Sequence, residues 1–215
     1  MNNTLSLSSL IDTNEFPLQD ILKGEKLWDP IKNLKDFIND CFAKGIIKPN
    51  YKDSKNIYIG EGTKILESAL ILGPAIIGKN CIIGHASFIR ENCLLGDDVT
   101  IGHATEIKNS IFLNKSVAAH LNYVGDSIIG NNVNIAGGVI IANYRLDKKT
   151  VRVNLGSENV DSELLKLGAI IGDNSNIGTN SVLNPGTILG KNTLVYPLSS
   201  VTGTHNEGEI IKGLA

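Results

Sequence analysis

Ile59, Ile65, Ile71, Ile77, Ile83, Ile89, Leu95, Ile101, Ile107, Leu113 and Ala119 follow one another at six-residue intervals without a break. That period fits neither the 3.6-residue turn of a helix nor the two-residue alternation of a strand, so the chain must turn a corner every six residues. It predicts a parallel β-helix. A second inward slot, four residues after each aliphatic, is small or β-branched: Thr63, Ala69, Ala75, Cys81, Ser87, Cys93, Val99 and Thr105. The position directly after the aliphatic is often glycine (Gly60, Gly78, Gly84, Gly96, Gly102), where a tight corner is expected to need permissive φ/ψ. Three hexads close a triangular coil, and residues eighteen apart then stack at about 4.8 Å. After an interruption, Ile171, Ile177, Leu183, Leu189, Val195 and Val201 repeat the rule.

Composition agrees with a solenoid filled by Ile, Leu and Val. Aromatic residues make up only 5% of the 215 residues, and a net charge of -2 gives no bulk reason to expect nucleic acid as a partner. The N-terminus lacks a basic stretch followed by an apolar run, and no segment approaches the length of a membrane span, so a cytoplasmic protein is expected. Cys81 and Cys93 fall in the small inward slot and Cys41 on a predicted helix. They read as buried thiols, not as a disulfide framework.

The chain divides into an N-terminal extension over 1–55 with one amphipathic helix, the β-helix over 56–203 with an inserted loop at 142–168, and a tail over 204–215. The helix is predicted over 30–44, with Asp29 as N-cap, Pro30 at N1, an apolar stripe of Ile31, Leu34, Phe37, Ile38, Cys41 and Phe42, and Gly45 beyond its end. Its simplest use is to cover an end of the solenoid. Residues 1–28 read as the remnant of a linker. An insertion of the length of 142–168 inside a compact domain is usually functional, and this one carries Arg145, Lys148, Lys149, Arg152 and Lys166.

Corner positions that abandon glycine point to chemistry. Arg90 follows Ile89, Lys108 follows Ile107 and His120 follows Ala119. Arg90 and Lys108, eighteen apart, should stack as like charges, which destabilises unless an anion or a carboxylate sits between them. Two readings stay open: a phosphate clamp, or neutralisation by Glu106 or Glu91. The aliphatic ladder ends at Ala119 and resumes at Ile129, so a register slip is expected around His120, and slips often re-aim a side chain beside a site. An imidazole titrates near neutral pH, so His120 is either a general base or a surface histidine. His85 and His103 also stack, and with His120 they invite comparison with the three-histidine zinc sites of β-helical carbonic anhydrases. With His120 placed in a different slot and no close histidine pair, no metal is expected.

Longer words in the sequence are more specific: Glu106-Ile107-Lys108, His120-Leu121-Asn122-Tyr123-Val124-Gly125-Asp126, Ile129-Gly130-Asn131-Asn132-Val133-Asn134-Ile135 and Asn143-Tyr144. Through them, residues 90–149 resemble the C-terminal left-handed β-helix acetyltransferase domain of bifunctional glucosamine-1-phosphate acetyltransferase and sugar-1-phosphate nucleotidylyltransferase. The resemblance, and not the period, implies the left hand. It implies a mainly β fold, acetyl-CoA as co-substrate, an amino-sugar 1-phosphate as acceptor, and a homotrimer with sites between subunits. By the same resemblance His120 is the catalytic base, Arg90, Lys108, Tyr123 and Lys149 hold the sugar phosphate, and Asn134 contacts the sugar. Asn143 and Tyr144, with Gly137 and Thr179 as weaker matches, lie on the acetyl-CoA side.

Two departures bear on this. The stretch from Val151 to Gly168, with Lys166-Leu167-Gly168-Ala169-Ile170-Ile171-Gly172-Asp173 after it, resembles the longer archaeal form, some members of which also accept galactosamine-1-phosphate. A basic C-terminal extension that grips coenzyme A in the bacterial enzymes has no counterpart. No Gly-rich nucleotide loop followed by Thr-Arg occurs, so nucleotidyl transfer is expected to belong to a separate partner. A non-catalytic trimerising partner of such an enzyme, and an acetyltransferase for another amino sugar, are the competing readings.

Overall fold

The computed structural model describes residues 5–156 and 158–213. Short parallel strands form three sheets of eight, eight and seven strands, and each coil gives one strand to each sheet. Face A runs from Ile57–Ile59 to Thr204–His205, face B from Lys64–Ile65 to Ile210–Ile211, and face C from Leu70–Ile71 to Ser200–Val201. Eighteen-residue stacking holds through the first coils, with Ile59 beside Ile77 and Ile77 beside Leu95. This is the expected mainly β solenoid of hexapeptide repeats, and it continues through Ile210–Ile211, past the start of the expected tail.

Inside, the aliphatic column from Ile71 to Ile107 is buried, as are Ala75, Cys81, Ser87, Cys93, Val99 and Thr105 in the small slot. Hydroxyls in that slot close the corners: Ser87 Oγ donates to the Gly84 carbonyl at 2.7 Å and Ser116 Oγ to the Leu113 carbonyl at 2.7 Å. Burial pushes the thiols of Cys81 and Cys93 up to about 11 and about 12, which suits packing and not nucleophilic chemistry.

The corner glycines have a different reason from the one expected. A Cβ on Gly78 would lie 2.3 Å from the Gly96 carbonyl oxygen, so glycine is needed for close approach between coils. The left-handed backbone falls two residues later, at Asn80, Ala86, Asp98 and Ala104.

The register also slips elsewhere than the period suggests. Phe112 pairs with Leu95, so Phe112 and Ala118 continue the inward column, and Leu113 and Ala119 do not. A second slip places Ile129 opposite Phe112 after Val124. Both slips fall at face C to face A corners, where the left-handed residues Asn109 and Asp126 directly follow Lys108 and Gly125. His120 lies between the slips, and it pairs with His103 in the ladder, in the histidine column and not in the Arg90–Lys108 column.

The N-terminal region covers a side of the solenoid, not an end. The helix spans Asp29–Ala43 with Trp28 at the N-cap, and the Asp29 carboxylate instead accepts the backbone N–H groups of Glu25 and Lys26 at 3.0 and 2.8 Å. Residues assigned to a linker are packed: Leu10, Ile11, Phe16, Ile21 and Trp28 join Ile31, Leu34 and Ile38 in one cluster. That cluster seats on Ile76, Leu94, Ile111, Ile128, Ile170 and Ile188, the outward residues of face A. The insertion joins it. An antiparallel hairpin, Arg152–Asn154 with Asn159–Asp161, extends from the wholly buried Val151, and Val153 and Leu167 are buried in the same cluster. Among the described residues no helix is long and apolar enough to cross a membrane.

Candidate active site

The two shortened corners bring four of the named residues together. Lys108 and Gly125 are ladder partners, and Tyr123 projects outward on face C between Glu106 and Ile140. The Asn143 side chain reaches back one coil, where its Nδ2 donates to Asp126 Oδ2 at 2.5 Å and to the Tyr123 hydroxyl at 3.2 Å. Gly125 makes this convergence possible, because a Cβ there would lie 2.4 Å from Asn143 Nδ2 and 2.7 Å from the Tyr123 hydroxyl. Burial raises the Tyr123 phenol above its ordinary pKa, against the lowering effect of the Asn143 hydrogen bond, so it stays protonated at neutral pH.

The like charges at Arg90 and Lys108 are neutralised by carboxylates of the same chain. Arg90 Nη1 stands 3.0 Å from Glu106 Oε1, with Glu91 at 3.9 Å from Nε, and Lys108 Nζ lies 3.8 Å from the buried Asp126. A phosphate entering this corner must compete with them. The Arg90 pair is partly exposed and the Lys108 pair is loose at 3.8 Å, so both cations can turn to an incoming anion.

His120 occupies the preceding corner of the same coil, between faces B and C. It is exposed, and its ring makes no hydrogen bond among the described residues. Its backbone is fixed. The N–H donates to Oδ1 of the buried Asn122 at 3.1 Å, and Asn122 donates onward to the Ala136 carbonyl at 2.7 Å. On one side the column continues with His103 and His85, whose rings stack at 5.3 Å with Ser68 Oγ 2.5 Å from His85 Nδ1. On the other lies Gly137, which leaves the space over His120 open. The described residues contain no group of three or more His, Cys, Asp or Glu side chains placed to hold a metal ion.

The remaining candidates lie apart. Asn134 and Thr179 line a face B groove of about 310 Å³ with Tyr196 and Pro197. Tyr144, bridged to Lys166, lines a separate cavity of about 630 Å³ with Arg145 and Asn184. Lys149 is exposed, with its backbone N–H donating to Asp147 Oδ1 at 3.3 Å, and it makes no ion pair among the described residues. Arg145 holds the Asp147 carboxyl well below the usual carboxylate range. Asp126 and Gly125 were not singled out from the sequence as site residues, although both lie inside the word that begins at His120.

Fold and site together define a hexapeptide-repeat β-helix protein. Residues 71–158 match the family described as the GMPPB C-terminal domain. The chain is related to the bifunctional sugar-1-phosphate nucleotidylyltransferase/acetyltransferases: it is 32% identical to that protein of Sulfurisphaera tokodaii over 204 residues, 95% of this chain and 47% of the relative. It is 40% identical to the bifunctional protein GlmU of Methanococcus maripaludis over 170 residues, 78% of this chain and 41% of the relative. The chain thus spans less than half the length of these relatives. Among solved structures, the polySia specific acetyltransferase NeuO overlaps 75% of this chain and 84% of its own at 13% identity and a TM-score of 0.41, a likeness that adds nothing to the assignment.

Proposed function

We propose that the chain is an acetyl-CoA-dependent N-acetyltransferase acting on an amino-sugar 1-phosphate, with glucosamine-1-phosphate as acceptor and N-acetylglucosamine-1-phosphate as product. The observation that carries this is the gathering of Arg90, Lys108 and Tyr123 at one corner, one corner along the coil from a histidine with an unoccupied ring. Kinship to relatives whose names include an acetyltransferase supports it.

In this reading the cations and the Tyr123 hydroxyl hold the phosphate, with Lys149 closing on it from the insertion. His120 takes a proton from the 2-amino group, the nitrogen attacks the thioester carbonyl, and the carbon–sulfur bond breaks. Coenzyme A leaves as a thiolate and recovers the proton that His120 took. A neutral amine held beside a thioester needs no covalent enzyme intermediate. Asn134 contacts the sugar, and Gly137, Tyr144 and Thr179 serve the acetyl-CoA side, while the side chain of Asn143, expected there too, is turned to Asp126 and Tyr123. Faces B and C are bare, and a homotrimer packing them together would join the face B groove of one copy to the face C corner of another. The enzyme works in the cytoplasm.

The test is release of free thiol from acetyl-CoA with a panel of amino sugars and their 1-phosphates. Glucosamine-1-phosphate should be acetylated with the highest kcat/KM, and unphosphorylated glucosamine poorly. Equal rates with and without the phosphate would remove the clamp, and no thiol release with any amino sugar would remove the enzyme.

A further inference from the structure

The polar groups behind Tyr123 have a direction, and one residue sets it. Asp126 is buried, and an ionised carboxylate can only accept hydrogen bonds. Its Oδ1 takes Asn109 Nδ2 at 2.9 Å, its Oδ2 takes Asn143 Nδ2 at 2.5 Å, and Lys108 Nζ stands 3.8 Å from Oδ2. Facing a carboxylate fixes Asn143 with its nitrogen inward, and the second amide hydrogen goes to the Tyr123 hydroxyl oxygen at 3.2 Å. A phenol oxygen that accepts in this way keeps its own proton free. No group among the described residues takes that proton. Were Asn143 reversed, its carbonyl oxygen would take the Tyr123 proton and the phenol would have nothing to offer.

We propose that Asp126 is a positioning residue which, through Asn143, makes Tyr123 a hydrogen-bond donor toward the phosphate of the acceptor. The proposal rests on the amino-sugar phosphate reading and gives that site its polarity. It places Asn143 behind the acceptor wall, where its side chain is already committed.

Simple electrostatics predicts the opposite sign. Removing a carboxylate beside an anion site should tighten anion binding. Asp126→Asn preserves shape and an acceptor for Asn109 but frees Asn143 to reverse, so binding should weaken. The experiment is calorimetric titration of the intact protein with glucosamine-1-phosphate, with steady-state kinetics alongside, on wild type, Asp126→Asn, Tyr123→Phe and the double variant. Asp126→Asn should raise Kd and KM for the sugar phosphate about tenfold and leave KM for acetyl-CoA unchanged. In the Tyr123→Phe background it should add little, because the donor is already gone. If Asp126→Asn does not fold, Asn143→Ala runs the same cycle with the same expected coupling. Tighter or unchanged binding, or effects that multiply in the double variant, would overturn the role of Asp126. A wild type that neither binds nor acetylates the sugar phosphate would remove the functional reading and this proposal with it, an outcome distinct from a binding wild type with an additive cycle.

Discussion

Face A and its two neighbours are built from the same coils, yet their outer surfaces differ. On face A the outward residues Ile76, Leu94, Ile111, Ile128, Ile170 and Ile188 are all no more than 3% exposed, sealed by the N-terminal segment and the 152–161 hairpin. On faces B and C, Ile82 and Leu70 remain 46% and 52% exposed, and the outward columns mix them with Asn134, Glu106 and Tyr123. The hexapeptide period dictates only what points inward. What points outward is free to vary, and this chain commits one face to its own cover while leaving two uncovered among the described residues. Every candidate residue except those of the insertion lies on a bare face or at a corner bordering one.

The sharpest way to break this contrast is at the bare corner. His120→Ala should lower kcat by about 10² to 10⁴, the usual contribution of a positioned base, without changing the melting temperature, because the exposed ring supports no packing or hydrogen bond. Near-wild-type turnover would move the reaction centre away from this corner. On the covered face the effect should be reversed. Ile76→Ser places a hydroxyl and a cavity beneath the N-terminal cluster, and should cost about 2 to 5 kcal/mol in chemical unfolding while the folded fraction keeps its turnover. An unchanged unfolding midpoint would show that the cover contributes little.

Between these extremes lie the two cations. Lys108→Ala should weaken the sugar phosphate by about 1.5 to 3 kcal/mol and leave acetyl-CoA unaffected, since it removes a charge-assisted contact from one substrate only. Arg90→Ala should have the smaller effect, because Glu106 and Glu91 already engage its guanidinium. Larger losses from Arg90→Ala than from Lys108→Ala, read from KM for each substrate, would mean that the Glu106 pair opens when substrate arrives.

The inward ladder was legible because Ile, Leu or Val fills its slot at nearly every turn, with Phe112 and Ala118 as the departures beside the slips. Its first slip was not, because it falls where two apolar residues are adjacent. Leu113 and Ala119 keep the six-residue count from Ile107 while Phe112 and Ala118 lie one residue short of it, and only ladder pairing shows that the latter face in. The cover had a signal: the doublets Ile76-Ile77, Leu94-Leu95, Ile128-Ile129 and Ile170-Ile171 recur once per coil, a second apolar column pointing outward. Asp126 was hidden by its surroundings. Corners throughout the solenoid place Asn or Asp in the left-handed region, as at Asn80, Asp98 and Asn132, so an aspartate that organises a site looks like one that only turns the chain.

The smallest expected effect is the closest test of the comparison. Ile82 is the outward residue of the face B strand that directly follows the face A strand carrying Ile76, and Ile82→Ser makes the same chemical change as Ile76→Ser one corner later. The side chain is already half in water, so the stability of dilute protein should change by no more than about 0.5 kcal/mol, far less than at Ile76. Self-association should respond instead. If bare faces meet in a homotrimer, sedimentation over a range of concentrations should show Ile82→Ser dissociating at higher concentration than wild type, with the unfolding midpoint of the monomer unmoved. A loss of stability as large as that at Ile76 in dilute protein would mean that face B is no barer than face A, and the division of labour between the faces would have to be abandoned.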